Sequence, residues 1–222
     1  MSGRPLGADR LPAPRGSAEA ARVRSTDMAG RDAPARYDRV TVALHWVLGL
    51  ALLAELVFGF ALDELAARGT PARAFWVNLH KSCGIVLGAL VLCRLAWRLA
   101  HRAPPWPAAT PAWSRHAAQI GHVALYACMV VLPLSGYLAS NFSKYGVSFF
   151  GHPLPPWGPA DPRVYAVLNG IHDATGWLFA MLVAGHAAAA LWHAFVARDG
   201  SYDRIRLARR TPPGPSSPKE RP

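Results

Sequence analysis

Four blocks of about 20 or more mostly apolar residues constrain this chain more than any other feature. They run from about Thr41 to Leu62, Asn78 to Leu99, His116 to Ala139 and Gly170 to Val196, with Pro-, Gly- and Arg-rich stretches between them. A helix rises about 1.5 Å per residue, so each block is long enough to cross roughly 30 Å of hydrocarbon. In lipid the backbone must satisfy its own hydrogen bonds, which a helix does within one segment. The expected fold is all-α: an integral membrane four-helix bundle over residues 37–207. The stretches 1–36 and 208–222 read as disordered tails. The first tail holds no apolar run of the secretory-signal kind, and Met28, near its end, is an alternative start of translation.

A net charge of +11 on 222 residues would, in a soluble chain, suggest a nucleic-acid partner. The apolar blocks are too long for a soluble fold, and the charge has another explanation. Of the 24 Lys and Arg, 19 fall in the amino-terminal tail, the end of the second block with its following loop, and the carboxy-terminal tail. Basic residues accumulate on the cytoplasmic side of membrane proteins, so both termini are expected there. The three cysteines, Cys83, Cys93 and Cys128, form no CxxC or CxxCH motif, which argues against covalently attached haem.

Ionisable residues within membrane helices are functional candidates by default. His45 lies towards the cytoplasmic end of the first block, and His80 towards the outer end of the second. His172 lies towards the outer end of the fourth, and His186 is 14 residues further along the same block. Fourteen residues at about 100° each return to within about 40° of the starting direction, so the last two share a face roughly 21 Å apart. The depths therefore match in two pairs, His80 with His172 and His45 with His186. Each pair is placed to hold one haem iron through neutral imidazoles. The ordinary alternative for any one of them is an interhelical hydrogen bond.

Three of these histidines are followed four residues later by glycine: Gly49, Gly84 and Gly176. Position i+4 shares the helix face, so each glycine leaves room for a flat macrocycle beside the backbone. Small-residue helix packing is the competing explanation, since Gly84 and Gly88 form a GxxxG pattern. Arg94 lies 14 residues beyond His80, and Arg39 precedes His45; both are candidates for haem propionates. His122 and His193 are weaker candidates, and Glu55 is either a proton relay or a partner for a neighbouring helix. No residue is assigned a chemical catalytic role. The long connection from Ser140 to Asn169, with Phe149, Phe150 and Trp157, either covers a site or anchors at the interface.

These residues resemble the bacterial cytochrome b561 family. The matching stretches are Tyr37-Asp38-Arg39 through Ala43-Leu44-His45-Trp46, Asn78-Leu79-His80-Lys81-Ser82-Cys83-Gly84, and Arg94-Leu95 with Arg98. They continue with Gly121-His122, a Leu132-Pro133-Leu134-Ser135-Gly136-Tyr137 turn, His172-Asp173 and Gly185-His186-Ala187-Ala188-Ala189-Ala190-Leu191. The resemblance implies a multi-pass protein of the bacterial inner (plasma) membrane with two non-covalent, bis-histidine b-type haems on His45, His80, His172 and His186. It also implies electron exchange with the quinone pool, ubiquinone being the expected partner, and it brings in superoxide oxidation as an activity of some members. The donor would be a small molecule or redox protein at the outer face, where Lys81 and Lys144 are placed to attract an anion. Two other classes stand beside this one. The chain is alternatively a haem-bearing anchor subunit of a larger oxidoreductase complex, or a haem-free transporter with buried histidines. A homo-oligomer is left open.

Overall fold

The computed structural model describes residues 36–106 and 110–206. Met28 and the expected tails lie outside the described residues, except for Arg36. Its side chain donates to the carbonyls of Asp203 and Arg206.

Four helices make up most of the described chain: α1 (Arg39–Leu65), α2 (Pro71–Ala100), α3 (Ala112–Asn141) and α4 (Pro162–Trp192). All are long and apolar enough to cross a membrane. All four start earlier than the apolar blocks, and α2 and α4 do so by the most, starting at Pro71 and Pro162. Thr70 caps α2 by accepting from the Arg73 amide, and Asp161 caps α4 by accepting from the Arg163 and Val164 amides. Each cap is followed by a proline in the first helical position, where a missing N–H costs nothing. These first turns are polar, so they lie outside the apolar blocks although they are helical. The connection expected over residues 140–169 is correspondingly shorter. At the start of α1, Asp38 accepts from the Thr41 amide at 2.9 Å. The Thr41 hydroxyl, and then its amide, hold the Asp38 carboxyl below its ordinary range.

The Leu132–Tyr137 segment is not the turn expected from its sequence. It lies inside α3, with Pro133 as an interior proline. Membrane helices tolerate such prolines because neighbouring helices and Ser or Thr side chains satisfy the backbone groups they disturb. Here Ser135 Oγ donates to the carbonyls of Val131 and Leu132.

The helices pack unequally. α3 lies closely along α4, α1 against α2, and α2 against α3, whereas the backbones of α1 and α4, and of α2 and α4, scarcely meet. The small buried core of Leu48, Leu87 and Val91 joins α1 and α2, with Met129 and Val130 of α3 against it. Gly88 allows the close approach of α2 and α3, because a Cβ there would stand 3.2 Å from the Pro133 ring. Many large apolar side chains face outward along the helices, among them Leu53, Val57, Leu92, Ile120, Val123 and Met181. In water such a surface would be a liability, but in a bilayer the lipid is the solvent.

The two ends of the bundle differ. At one end β1 (Val147–Phe149) pairs antiparallel with β2 (His152–Leu154), Val147 facing Leu154. Phe150 and Gly151 both take positive φ to make the tight turn. This hairpin seats on α2, where Ser82 Oγ accepts from the Phe150 amide and Lys81 donates to the Gly146 carbonyl. At the opposite, arginine-rich end, buried Arg204 donates to the Pro104 carbonyl at 2.6 Å. Its guanidinium lies over the rings of Tyr37 and Trp106. Trp46 donates to the Ile205 carbonyl. These contacts gather the segment before α1, the α2–α3 connection and the turn after α4 into one knot.

Candidate functional site

Four histidines meet in two pairs. The His80 and His172 rings have centroids 6.1 Å apart, bridging α2 and α4 at the hairpin end. The His45 and His186 rings are likewise 6.1 Å apart, bridging α1 and α4 at the arginine end. Both pairs bridge helices whose backbones scarcely meet. No closed group of three or more His, Cys, Asp or Glu suited to a metal ion forms among the described residues. Two imidazoles bound to one iron from opposite sides, at about 2 Å each, place their ring centres roughly 6 Å apart. The observed spacing fits that arrangement in both pairs.

The neighbours of each ring decide which nitrogen is free. His172 Nδ1 lies 2.9 Å from the Leu132 carbonyl. A carbonyl can only accept, so Nδ1 carries the ring proton and Nε2 keeps a lone pair. His80 Nδ1 lies 2.7 Å from Glu55 Oε1. The two atoms are within ion-pair distance but are not aligned as a hydrogen bond, so the contact orients the ring without fixing its tautomer. Histidines that bind metals usually donate their second N–H to a carboxylate or carbonyl. The arginine-end pair differs. Arg94 Nη2 lies 3.3 Å from His45 Nδ1. A guanidinium has only donors, so His45 Nδ1 accepts and the proton sits on Nε2. Nε2 of His45 would carry a lone pair only with Arg94 moved off Nδ1.

The glycines divide into two kinds. A Cβ on Gly49 or Gly176 would meet nothing within 4 Å, and one on Gly84 only Glu55 Oε1 at 4.0 Å. Gly176 is buried, so its open side is a gap within the protein. Open space thus lies beside all three, inside the protein at Gly176 and at the exposed surface at Gly49, whereas Gly88 of the GxxxG pattern is a packing glycine. Two other glycines make close contact with the histidines and were not among the expected residues. A Cβ on Gly136 would stand 2.9 Å from His172 Cε1 and Nδ1, and one on Gly59 would stand 3.1 Å from His80 Cε1. Gly136 lets His172 reach the Leu132 carbonyl. Gly136 was in view in the Leu132–Tyr137 run, but nothing in the sequence says which ring lies across from it.

Chain-wide similarity agrees with this geometry. A family model described as prokaryotic cytochrome b561 matches residues 36–206. The chain belongs to the prokaryotic cytochrome b561 family. It is 31% identical over 181 residues to cytochrome b561 homolog 2 of Escherichia coli K12, covering 80% of this chain and 95% of that protein. It is 26% identical over 170 residues to cytochrome b561 homolog 1 of the same organism, covering 77% and 96%. A probable superoxide oxidase, CybB, of Yersinia pestis is 24% identical over 173 residues, covering 77% and 95%. Membership makes this chain a multi-pass bacterial membrane protein of electron transfer that binds b-type haem.

The remaining candidates of this b561 protein are placed as follows. Arg94 lines a recess with Thr41, Leu44, Trp97, Arg98 and Tyr126, close to His45. Arg39 is exposed in the first turn of α1 and has no hydrogen bond or ion pair among the described residues. His122 lies ten residues inside α3, its ring 5.4 Å from that of His186. His193 Nδ1 contacts Asp199 Oδ2 at 2.7 Å in the turn after α4, which turns it away from any pairing. Lys81 is tied to the hairpin, while Lys144 is exposed over the Tyr145 ring.

Proposed function

We propose that this chain is a di-haem electron carrier linking a donor at one membrane face to the quinone pool, with ubiquinone as the acceptor. His80 and His172 would hold one b-type haem at the hairpin end, and His45 and His186 the second at the arginine end. Each haem supplies a one-electron iron couple. The observation that carries this reading is the repeated 6.1 Å imidazole pair, each spanning a gap between helices that scarcely meet.

The protein's own residues do the rest. The Leu132 carbonyl holds the Nδ1–H of His172, and Glu55 stands against the back of His80. Gly49, Gly84 and Gly176 leave the backbone open beside the pairs. Arg94, released from His45, would neutralise propionate charge at the arginine end, and Arg39 stands one turn nearer that face. The basic excess at that end supports a cytoplasmic location for both termini. The hairpin end then faces the donor. Superoxide is one candidate there, since a relative carries the name superoxide oxidase and Lys81 and Lys144 would favour an anion.

The test is electron exchange in both directions. Purified protein is reduced anaerobically and mixed with a short-chain ubiquinone, and haem reoxidation is followed by absorbance. Oxidised protein is separately exposed to a superoxide source. Reoxidation by quinone on a catalytic time scale supports the reading. Haems that quinone leaves reduced would contradict it.

A further inference from the structure

Glu55 stands in mid-helix in α1, where a carboxylate is costly unless something compensates it. Its Oε1 lies 2.7 Å from His80 Nδ1, and the Glu55 and His80 side chains are only 14% and 21% exposed. Both atoms are buried and neither completes a hydrogen bond, so the two stand together as unsatisfied polar groups within reach of one another. The rest of this stretch of α1 is shaped to the same ring. Gly59, one turn on from Glu55, faces His80 Cε1 so closely that a Cβ would stand 3.1 Å away. Phe58 meets the ring edge-on at 5.8 Å. α1 thus encloses the back of a histidine that belongs to α2 and faces α4.

We propose that Glu55 is a positioning residue for the hairpin-end haem: its carboxylate holds the Nδ1–H of His80, fixes the ring, and makes Nε2 a stronger donor to ferric iron. The inference rests on the haem reading above. A carboxylate behind an imidazole orients it and raises its basicity as a ligand. The partner ring, His172, is backed only by a neutral carbonyl. No carboxylate contacts His45 or His186 among the described residues. The two haems therefore receive different donor strength, and the hairpin-end iron is held at a lower potential than bis-imidazole ligation alone would give it.

The experiment is a potentiometric titration of full-length Glu55→Gln and Glu55→Leu proteins in detergent, with haem counted per chain and the ferric low-spin spectrum recorded. Glu55→Gln keeps an acceptor without the charge. It should retain both haems and raise one midpoint while the other stays fixed. The expected shift corresponds to roughly a tenfold change in the reduced-to-oxidised ratio, about 59 mV for a one-electron couple. Glu55→Leu should raise the same midpoint further and alter one of the two low-spin signals. If Glu55→Leu loses one haem, Glu55→Gln alone decides. Wild-type midpoints in Glu55→Gln, with both haems present, would overturn the role of Glu55 and leave the haem reading standing. Wild-type protein without haem would overturn that reading itself.

Discussion

The two histidine pairs have the same ring spacing and opposite surroundings. At the hairpin end the back nitrogens face the Leu132 carbonyl and Glu55, and the hydrogen bond to Leu132 leaves a lone pair on the inward nitrogen of His172. At the arginine end His45 faces a donor, Arg94, and His186 has a third histidine, His122, at 5.4 Å. Two imidazoles at the right spacing are therefore only half of a haem site. What lies behind each ring decides which nitrogen is offered, and of the four only His172 is already set by a carbonyl. On the di-haem proposal the arginine end would be completed by the guanidinium moving to a better partner, for which a propionate is suited.

The largest expected effect comes from the histidines themselves. His172→Ala should remove the hairpin-end haem and leave the other, halving the haem per chain, and His45→Ala should do the converse. Pyridine haemochrome analysis reads both. Loss of both haems in each single variant would erase the distinction between the ends.

A smaller effect is expected from Gly136→Ala. The added Cβ meets His172 at 2.9 Å, so the ring must leave the Leu132 carbonyl. Partial loss of the hairpin-end haem should follow, although alanine favours the helix by about 0.5–1 kcal/mol over glycine. Gly59→Ala, at 3.1 Å from His80, should act in the same direction and more weakly. A gain in thermal stability with full haem content in Gly136→Ala would show that the contact is not needed.

The smallest effect is expected from Arg94→Gln. Removing a positive charge beside the arginine-end iron disfavours the ferrous state, so that midpoint should fall. At an effective dielectric near 20 the change is on the order of 1 kcal/mol. Redox titration should show the hairpin-end midpoint unmoved. An equal shift in both would mean that Arg94 acts on the whole bundle and not on one pair.

Much of this arrangement is legible in the residues. Length and hydropathy give four membrane helices, and the 14-residue spacing of His172 and His186 puts two histidines on one face. The true starts at Pro71 and Pro162 are hidden from hydropathy because a cap and a proline build a polar first turn. The Leu132–Tyr137 run reads as a turn because proline and glycine break soluble helices, yet a membrane bundle accommodates both. Glu55, Gly59 and Gly136 act across helices, so no spacing along the chain reveals their partners. Arg94 shares a face with His80 by count, but its contact is His45 on the neighbouring helix.

The central claim is that two bis-histidine haems lie in one chain. The most direct measurement is the haem-to-protein ratio of the detergent-purified wild-type protein, taken with its reduced-minus-oxidised spectrum. The account predicts two b-type haems per chain, titrating at two separate midpoints. A ratio of one would show that one of the imaged pairs is not a ligand pair, and a protein without haem would contradict the account altogether.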